Sequence, residues 1–520
     1  MSDIELLGPF GNPDGARADL AEVLDDFVDF DGNPAFGDLA TRADDAKVRV
    51  VAGKLGAGKT VQLRRLQEFQ GRQESVYADV PQQGLPTTEA IVKACQWFPR
   101  DLLEEKWILL WNRAVLRSLS THLLRAKDLV PHVDPRLAED IESHYAHLIG
   151  EFRRPRSIYS ELKHLIDQAN NAHQLTKQLN EPSWDDLEDV LAEVLRRCPP
   201  IFFYLDGVDD EFTFAPMYWL QCQKGLFQQV MRLLRDPRFG GKLHVVISVR
   251  DVVMSSVLQS EHAPKFIGEP HIRLLTWDRE ALGVLLHRKL QTLHPSYFVG
   301  DRSESASVAA WLGTPTIHNV ARNVTEDATD YILRHTRLIP RDLVSIGNAL
   351  SLEARKRAIK KSEIPQDRLR EIVSRCAGRF GDSQLAQCSN QIASDIMPAD
   401  AARHDFAHVY TGTQAYVQQI GDDLRGMIRV VGVDRFGRAE LASLQSLADE
   451  EWDATTDLAA VLWQNGLLGY IDRSGHSTFY GLGGSDQFRM PEGSDTFVFH
   501  PCLIDSVGIA SVGPEPVSPF

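Results

Sequence analysis

The chain of 520 residues is 43% hydrophobic and 25% charged, with a formal net charge of −16. Its length predicts several modules rather than one core, and its acidity argues against a surface built mainly to hold DNA or RNA. Six scattered cysteines without a C-x-x-C pair exclude the common zinc spacings and predict reduced thiols in a cytoplasmic protein. The start, MSDIELLGPFGNPDG, has no secretory leader pattern, and no 18-residue apolar window predicts a membrane span.

Residues 1–46 are acidic and punctuated by glycine and proline, with one short amphipathic helix expected in RADLAEVLDDFV. KVRVVAG then reads as a buried strand, Lys47–Ala52, running into a glycine loop. TVQLRRLQEFQ follows with Val61, Leu63 and Leu66 at helical spacing, and ESVYADV reads as a second short strand. From about 87 to 180 the pattern is long and helical. The Trp-rich CQWFPRDLLEEKWILLWNRAVLRSL marks this stretch as a helical insertion whose tryptophans serve packing.

Ser183 reads as the N-cap of SWDDLEDVLAEVLRRC, with acids in the first turn. PPIFFYLDGVDD enters a fully apolar strand that ends in acids; GGKLHVVISVRD is another such strand and HIRLLTW a candidate next. Strands apolar on both faces and alternating with helices predict an α/β core over 47–278, a parallel sheet flanked by helices. Residues 279–362 read as a helical lid, strongest in WDREALGVLLHRKL and TRLIPRDLVSIGNALSLEARKRAIKK. Residues 363–520 mix helices with a late β-hairpin, GYIDRSGHSTFYGL, turning at Ser474-Gly475, and a strand in DTFVFHP.

Gly53-Lys54-Leu55-Gly56-Ala57-Gly58-Lys59-Thr60 fits G-x-x-x-x-G-K-[ST] at every position. Gly53, Gly56, Ala57 and Gly58 let the backbone curl so that its N–H groups cradle phosphate oxygens, and the following helix aims its positive end at them. Lys59 is expected to reach the β- and γ-phosphates and Thr60 to offer its hydroxyl to Mg²⁺. Such a P-loop requires a second strand ending in a magnesium-holding carboxylate. Ile201–Leu205 followed by Asp206 supplies it, at the carboxyl edge where open α/β sheets bind ligands.

The residues after Asp206 run Gly207-Val208-Asp209-Asp210-Glu211. Ring-forming AAA+ ATPases usually place a glutamate where Gly207 stands. This spacing instead resembles the Walker B of the STAND NTPases, the NACHT-like signalling group, and of the KAP-like P-loop ATPases. The resemblance implies an Mg²⁺-dependent ATPase in which Asp210, or else Asp209 or Glu211, positions the attacking water. Asp210 is one methylene shorter than the usual glutamate, which implies slow hydrolysis. Val245–Asp251 resembles the sensor-1 strand of the same group, giving Ser248 and Arg250 to the γ-phosphate. Leu338-Ile339-Pro340-Arg341-Asp342-Leu343 resembles the sensor-2 region of a helical lid, giving Arg341.

The C-terminal helix from Asp457 and the hairpin after it resemble a winged helix. The presumptive recognition helix holds no Lys or Arg, so it is expected to dock intramolecularly or on a protein partner rather than on DNA. The basic run Arg355, Lys356, Arg357, Lys360 and Lys361 reads as a solvated helix face, and His476 and His500 as turn or core residues. The resemblance thus implies a cytoplasmic bacterial switch ATPase in signalling or anti-phage defence, working as a homo-oligomer or with a separate effector chain. A DNA-acting initiator or remodelling ATPase is the alternative. A small-molecule kinase is a third, in which Arg250, Arg341 and the long C-terminal extension have no role.

Overall fold

The computed structural model describes residues 8–19, 48–81, 93–98, 102–207, 216–239, 241–258, 263–266, 268–300, 307–360, 362–396, 406–452, 456–480, 490 and 493–513. Most of the helix expected in RADLAEVLDDFV lies outside these residues, as do Asp209, Asp210 and Glu211.

The apolar runs form the strands expected of them: β1 (Val50–Gly53), β2 (Tyr77–Ala78), β3 (Ile201–Leu205), β4 (Leu243–Arg250) and β5 (Ile272–Leu275). All five are parallel, in the order β2-β3-β4-β1-β5. Register sets Gly53 beside Arg250 and Leu205 beside Ile247. Both faces of the sheet are covered. Val51, Phe202, Tyr204 and Val246 meet Leu63 of α1 (Lys59–Gly71) on one side. Val50, Ala52, Phe203, Leu205 and Ile247 join a larger core on the other. The chain leaves β1 towards the β2 edge and later crosses to β5 on the opposite flank. The carboxyl end of β1 is therefore where connections diverge and a crevice opens.

The helical insertion comprises α2 (Leu103–Arg125), α3 (Pro135–His144), α4 (Ile158–Asp167) and α5 (Ala172–Leu179). Its tryptophans pack, as expected: Trp107 and Trp111 are fully buried in the larger core. Next comes α6 (Ser183–Leu195), which begins one residue earlier in role than the sequence suggested. Pro182 occupies the cap, and Ser183 is already helical. Beyond β3, α7 (Pro216–Arg235) packs against α2, and Trp111 Nε1 donates to the Cys222 carbonyl at 3.0 Å.

After α8 (Asp251–Leu258) and β5, the lid is built from α9 (Arg279–Thr292), α10 (Val308–Leu312), α11 (Ala328–Arg334) and α12 (Pro340–Lys360). Inside it stands a hairpin, β6 (Thr316–Asn319) with β7 (Val324–Asp327), that helical periodicity gave no reason to expect. Then α13 (Gln366–Ile396) crosses the expected boundary at 362/363. Its Leu369, Ile372 and Val373 belong to the lid core, while Leu385, Cys388 and Ile392 belong to the larger core.

The C-terminal region continues with α14 (Phe406–Val431), β8 (Arg435–Gly437), α15 (Arg438–Trp452), α16 (Leu458–Gln464), β9 (Leu468–Ile471), β10 (Ser477–Phe479), β11 (Thr496–Phe499) and α17 (Pro501–Val507). The expected hairpin forms, with Tyr470 opposite Thr478. The Asp472 carboxylate ties its turn by accepting from the amides of Ser474 and His476. β11 pairs with β9 and β8, so the antiparallel sheet runs β10-β9-β11-β8. Among the described residues no helix is long and apolar enough to cross a membrane.

Candidate functional site

The loop after β1 bends where most side chains would forbid it: Gly56 and Gly58 sit at φ +89° and +99°. Gly58 occupies the N-cap of α1 and brings no side-chain cap. The amides of the first turn, Thr60 and Val61 among them, therefore have no acceptor one turn back within the helix and none from the cap residue's side chain. They form a row of donors at the positive end of α1, which suits an anion. Lys59, 8% exposed, folds back on the loop. Its Nζ donates to the carbonyls of Gly53 at 3.0 Å and Lys54 at 3.2 Å. Trp277 Nε1 fixes the loop from the lid side by donating to the Ala57 carbonyl at 2.9 Å.

Asp206 directly follows β3, and because β4 lies between β3 and β1 the two strand ends stand two strand spacings apart, about 10 Å. That gap accommodates phosphate groups between the glycine loop and the carboxylate. Asp206 is 5% exposed, and its Oδ1 accepts the Ser248 hydroxyl at 2.5 Å. Gly207, at φ +67°, turns the chain away immediately afterwards. Gly56, Ala57, Gly58, Lys59, Thr60, Asp206 and Ser248 line one cleft of about 460 Å³.

Arg341 lies where expected, in the first turn of α12 against the loop. A Cβ on Gly56 would come within 2.9 Å of the Arg341 Cβ. Its Nε donates to the Pro13 carbonyl at 3.3 Å. Ser248 is in the cleft, but its hydroxyl holds Asp206, so it would act through that carboxylate. Arg250 departs from the expectation. It stands at the end of β4 and points towards α13, where Nη2 donates to Gln387 Oε1 at 2.6 Å. It lines a second cavity, of about 110 Å³, together with Lys54, Arg337, Asn465, Tyr480 and His500.

No family model matches the chain, and no curated protein matches it.

The second cavity is where the glycine loop meets the C-terminal region. Lys54 is half-buried, and desolvation pulls its pKa below the usual ammonium range, with Asp251 opposing the shift. Its Nζ donates to the Tyr480 carbonyl at 2.7 Å. His500 caps α17 by accepting the Cys502 amide at Nδ1, 3.1 Å away, and burial pushes its pKa down to about 3. Gln384 bridges Arg337 of the lid and Asn465 after α16. His500 is thus a buried structural residue and His476 a turn residue, and no group of three or more His, Cys, Asp or Glu side chains among the described residues could hold a metal alone. The basic run on α12 is a surface face: Arg357 and Lys356 pair with Glu353 and Arg355 stands over Tyr297.

Sequence reasoning missed the far wall of the cleft. Residues Phe10–Ala18 lie along it as a strap. The Phe10 ring is buried 5.2 Å from that of Trp311. The Phe10 amide donates to Asn348 Oδ1 at 2.7 Å, and Asn348 Nδ2 donates to the Gly11 carbonyl at 3.0 Å. Arg64 of α1 holds the other end through the carbonyls of Gly15 and Ala18, at 2.6 and 2.8 Å. The turn-forming GNPDG showed that this segment bends, since Asn12 and Asp14 each accept the amide two residues on. Nothing in it showed where the bend would lie.

Proposed function

We propose that the chain is an ATP-binding, slowly hydrolysing switch ATPase of P-loop type, resembling the STAND and KAP-like groups. One observation carries this reading: the donor row of the glycine loop with Lys59, and the buried Asp206 of β3, face each other across a single cleft. The loop amides and Lys59 would hold the phosphate tail. Thr60 and Asp206 supply the oxygens a magnesium ion takes from protein in such sites, with phosphate and water completing the shell. That ion would offset charge developing on the transferred phosphoryl group. Pro13 and Ala16 of the strap, with Leu285 and Val344, supply apolar wall against which a nucleobase would lie.

The switch part of the reading rests on contacts made by the loop itself. Lys59 is held by the Lys54 carbonyl, and the Lys54 side chain holds Tyr480 of the C-terminal region. Withdrawing Lys59 to meet phosphate would disturb the residue that ties the two regions together. The C-terminal succession of helix, strand, two helices and hairpin supports a winged-helix-like module used for docking. A bacterial signalling or anti-phage role, with a separate effector chain or a second copy as partner, follows from the resemblance alone.

The DNA-acting alternative is less well supported. From 363 to 520 the sequence has no lysine, and its acids outnumber its arginines two to one. Trp463 of α16, the helix that would read DNA, is buried in a cluster with Tyr480 against which Leu258 and Leu274 of the core pack. A helix whose residues are engaged in this way offers little face to a groove. Calorimetry with MgATP tests the main reading: binding in the wild type and none in Lys59→Ala is expected. Equal affinity in both proteins would overturn it, and hydrolysis stimulated by duplex DNA with a steep salt dependence would favour the alternative.

A further inference from the structure

Asp206 lies one residue past β3, where the sheet ladder has ended. Its main-chain carbonyl accepts a hydrogen bond from the Tyr159 hydroxyl at 2.8 Å. This donor belongs to the helical insertion, entering on α4, and not to the sheet. One neighbour packs on the ring and an ion pair anchors its helix. Trp111 of α2 meets it edge-on at 6.1 Å. Two residues along α4, Glu161 forms a fully buried ion pair with Arg117 of α2 at 2.8 Å. Ser157 caps α4 by accepting the Ser160 amide. The hydroxyl is therefore presented by a rigid body, and removing it takes a donor away from a buried carbonyl.

The direction of a carbonyl is set by the ψ angle of its own residue, and that angle also aims the chain that follows. Ser248 fixes the Asp206 side chain from β4, and Tyr159 fixes its main chain from the insertion. The same peptide leads through Gly207 into residues 208–215, which carry Asp209 and Asp210. We propose that Tyr159 is a positioning residue through which the helical insertion controls metal binding and turnover at Asp206. This inference rests on reading the cleft as the MgATP site. It makes the insertion a point of control, because a partner that shifts α4 against β3 would alter hydrolysis without touching nucleotide.

The test compares full-length wild type with Tyr159→Phe, which keeps the ring and its packing. Loss of one buried hydrogen bond predicts a roughly tenfold lower kcat in the variant. The half-saturating Mg²⁺ concentration is expected to rise severalfold, while affinity for ATP measured in EDTA stays within about twofold. Unchanged kcat and unchanged Mg²⁺ dependence would overturn the proposal. So would a parallel fall in metal-free ATP affinity and melting temperature, since that pattern marks a merely structural residue. If the wild type itself binds no ATP, the reading of the cleft fails first, and that failure is recognisable because it does not depend on the variant.

Discussion

Lys54 Nζ donates to the carbonyl of Tyr480 across 426 residues of sequence, at 2.7 Å, from inside the glycine loop. The variable positions of a phosphate loop ordinarily carry little information. Here one of them reaches out of the loop and holds the β9–β10 hairpin. The neighbouring Gly466 turn lies against the same ammonium, where a Cβ would come within 3.6 Å of Nζ.

Replacing Lys54 with methionine keeps the length of the side chain and removes the donor. A hydrogen bond from a charged group contributes about 1.5–3 kcal/mol. The expected result is at least tenfold faster amide exchange in Leu468–Phe479, measured by hydrogen–deuterium exchange, with MgATP affinity retained. Unaltered exchange there would mean that the hairpin is held by its apolar contacts alone.

The strap offers a second test. Asn348→Ala removes both side-chain hydrogen bonds to Phe10 and Gly11, each contributing about 1 kcal/mol. ATP affinity is expected to fall by roughly tenfold. Affinity for inorganic tripolyphosphate, which has no base, should not change. A parallel loss for both ligands in calorimetry would place the strap at the phosphate end of the cleft instead.

His500 makes stability depend on pH. Its pKa is near 3 in the folded chain because burial excludes the charged form, with Lys54 and Arg337 adding repulsion. In the unfolded chain it is near 6.5. As pH falls below about 6.5 the unfolded state takes up a proton that the folded state refuses. Stability contributed by the neutral ring is therefore complete above that pH and is lost progressively towards pH 3, at up to about 1.4 kcal/mol per unit. Glutamine can still accept the Cys502 amide, so His500→Gln should flatten the fall in melting temperature between pH 7 and 5. Parallel curves for the two proteins would show that other groups set the acid limit.

The core was legible because its signals are local. Five apolar runs, a glycine loop that needs positive φ, and an aspartate at a strand end each announce themselves within ten residues. Long-range partners were not. Tyr159 and Asp206 are 47 residues apart and Phe10 and Asn348 are 338 apart. No periodicity links such pairs; only the folded topology does. Arg250 shows the converse limit. Strand alternation put it on the same face as Ser248, but as the last residue of β4 it lies next to α13, and Gln387 claims its guanidinium. The β6–β7 hairpin escaped notice because each strand has four residues, only Ile317 and Asn319 of β6 are buried, and the run is too short for an alternating pattern to stand out.

The 31 residues of α13 begin in the lid core and end in the larger core that the C-terminal region shares with the sheet. A helix of that length is a rod of about 46 Å. Lid and C-terminal region cannot then swing separately without bending it, and a tilt of roughly 10° at one end sweeps the other through about 8 Å. Prising the lid from the cleft would accordingly strain a rod whose far half is anchored among the residues that cover the sheet.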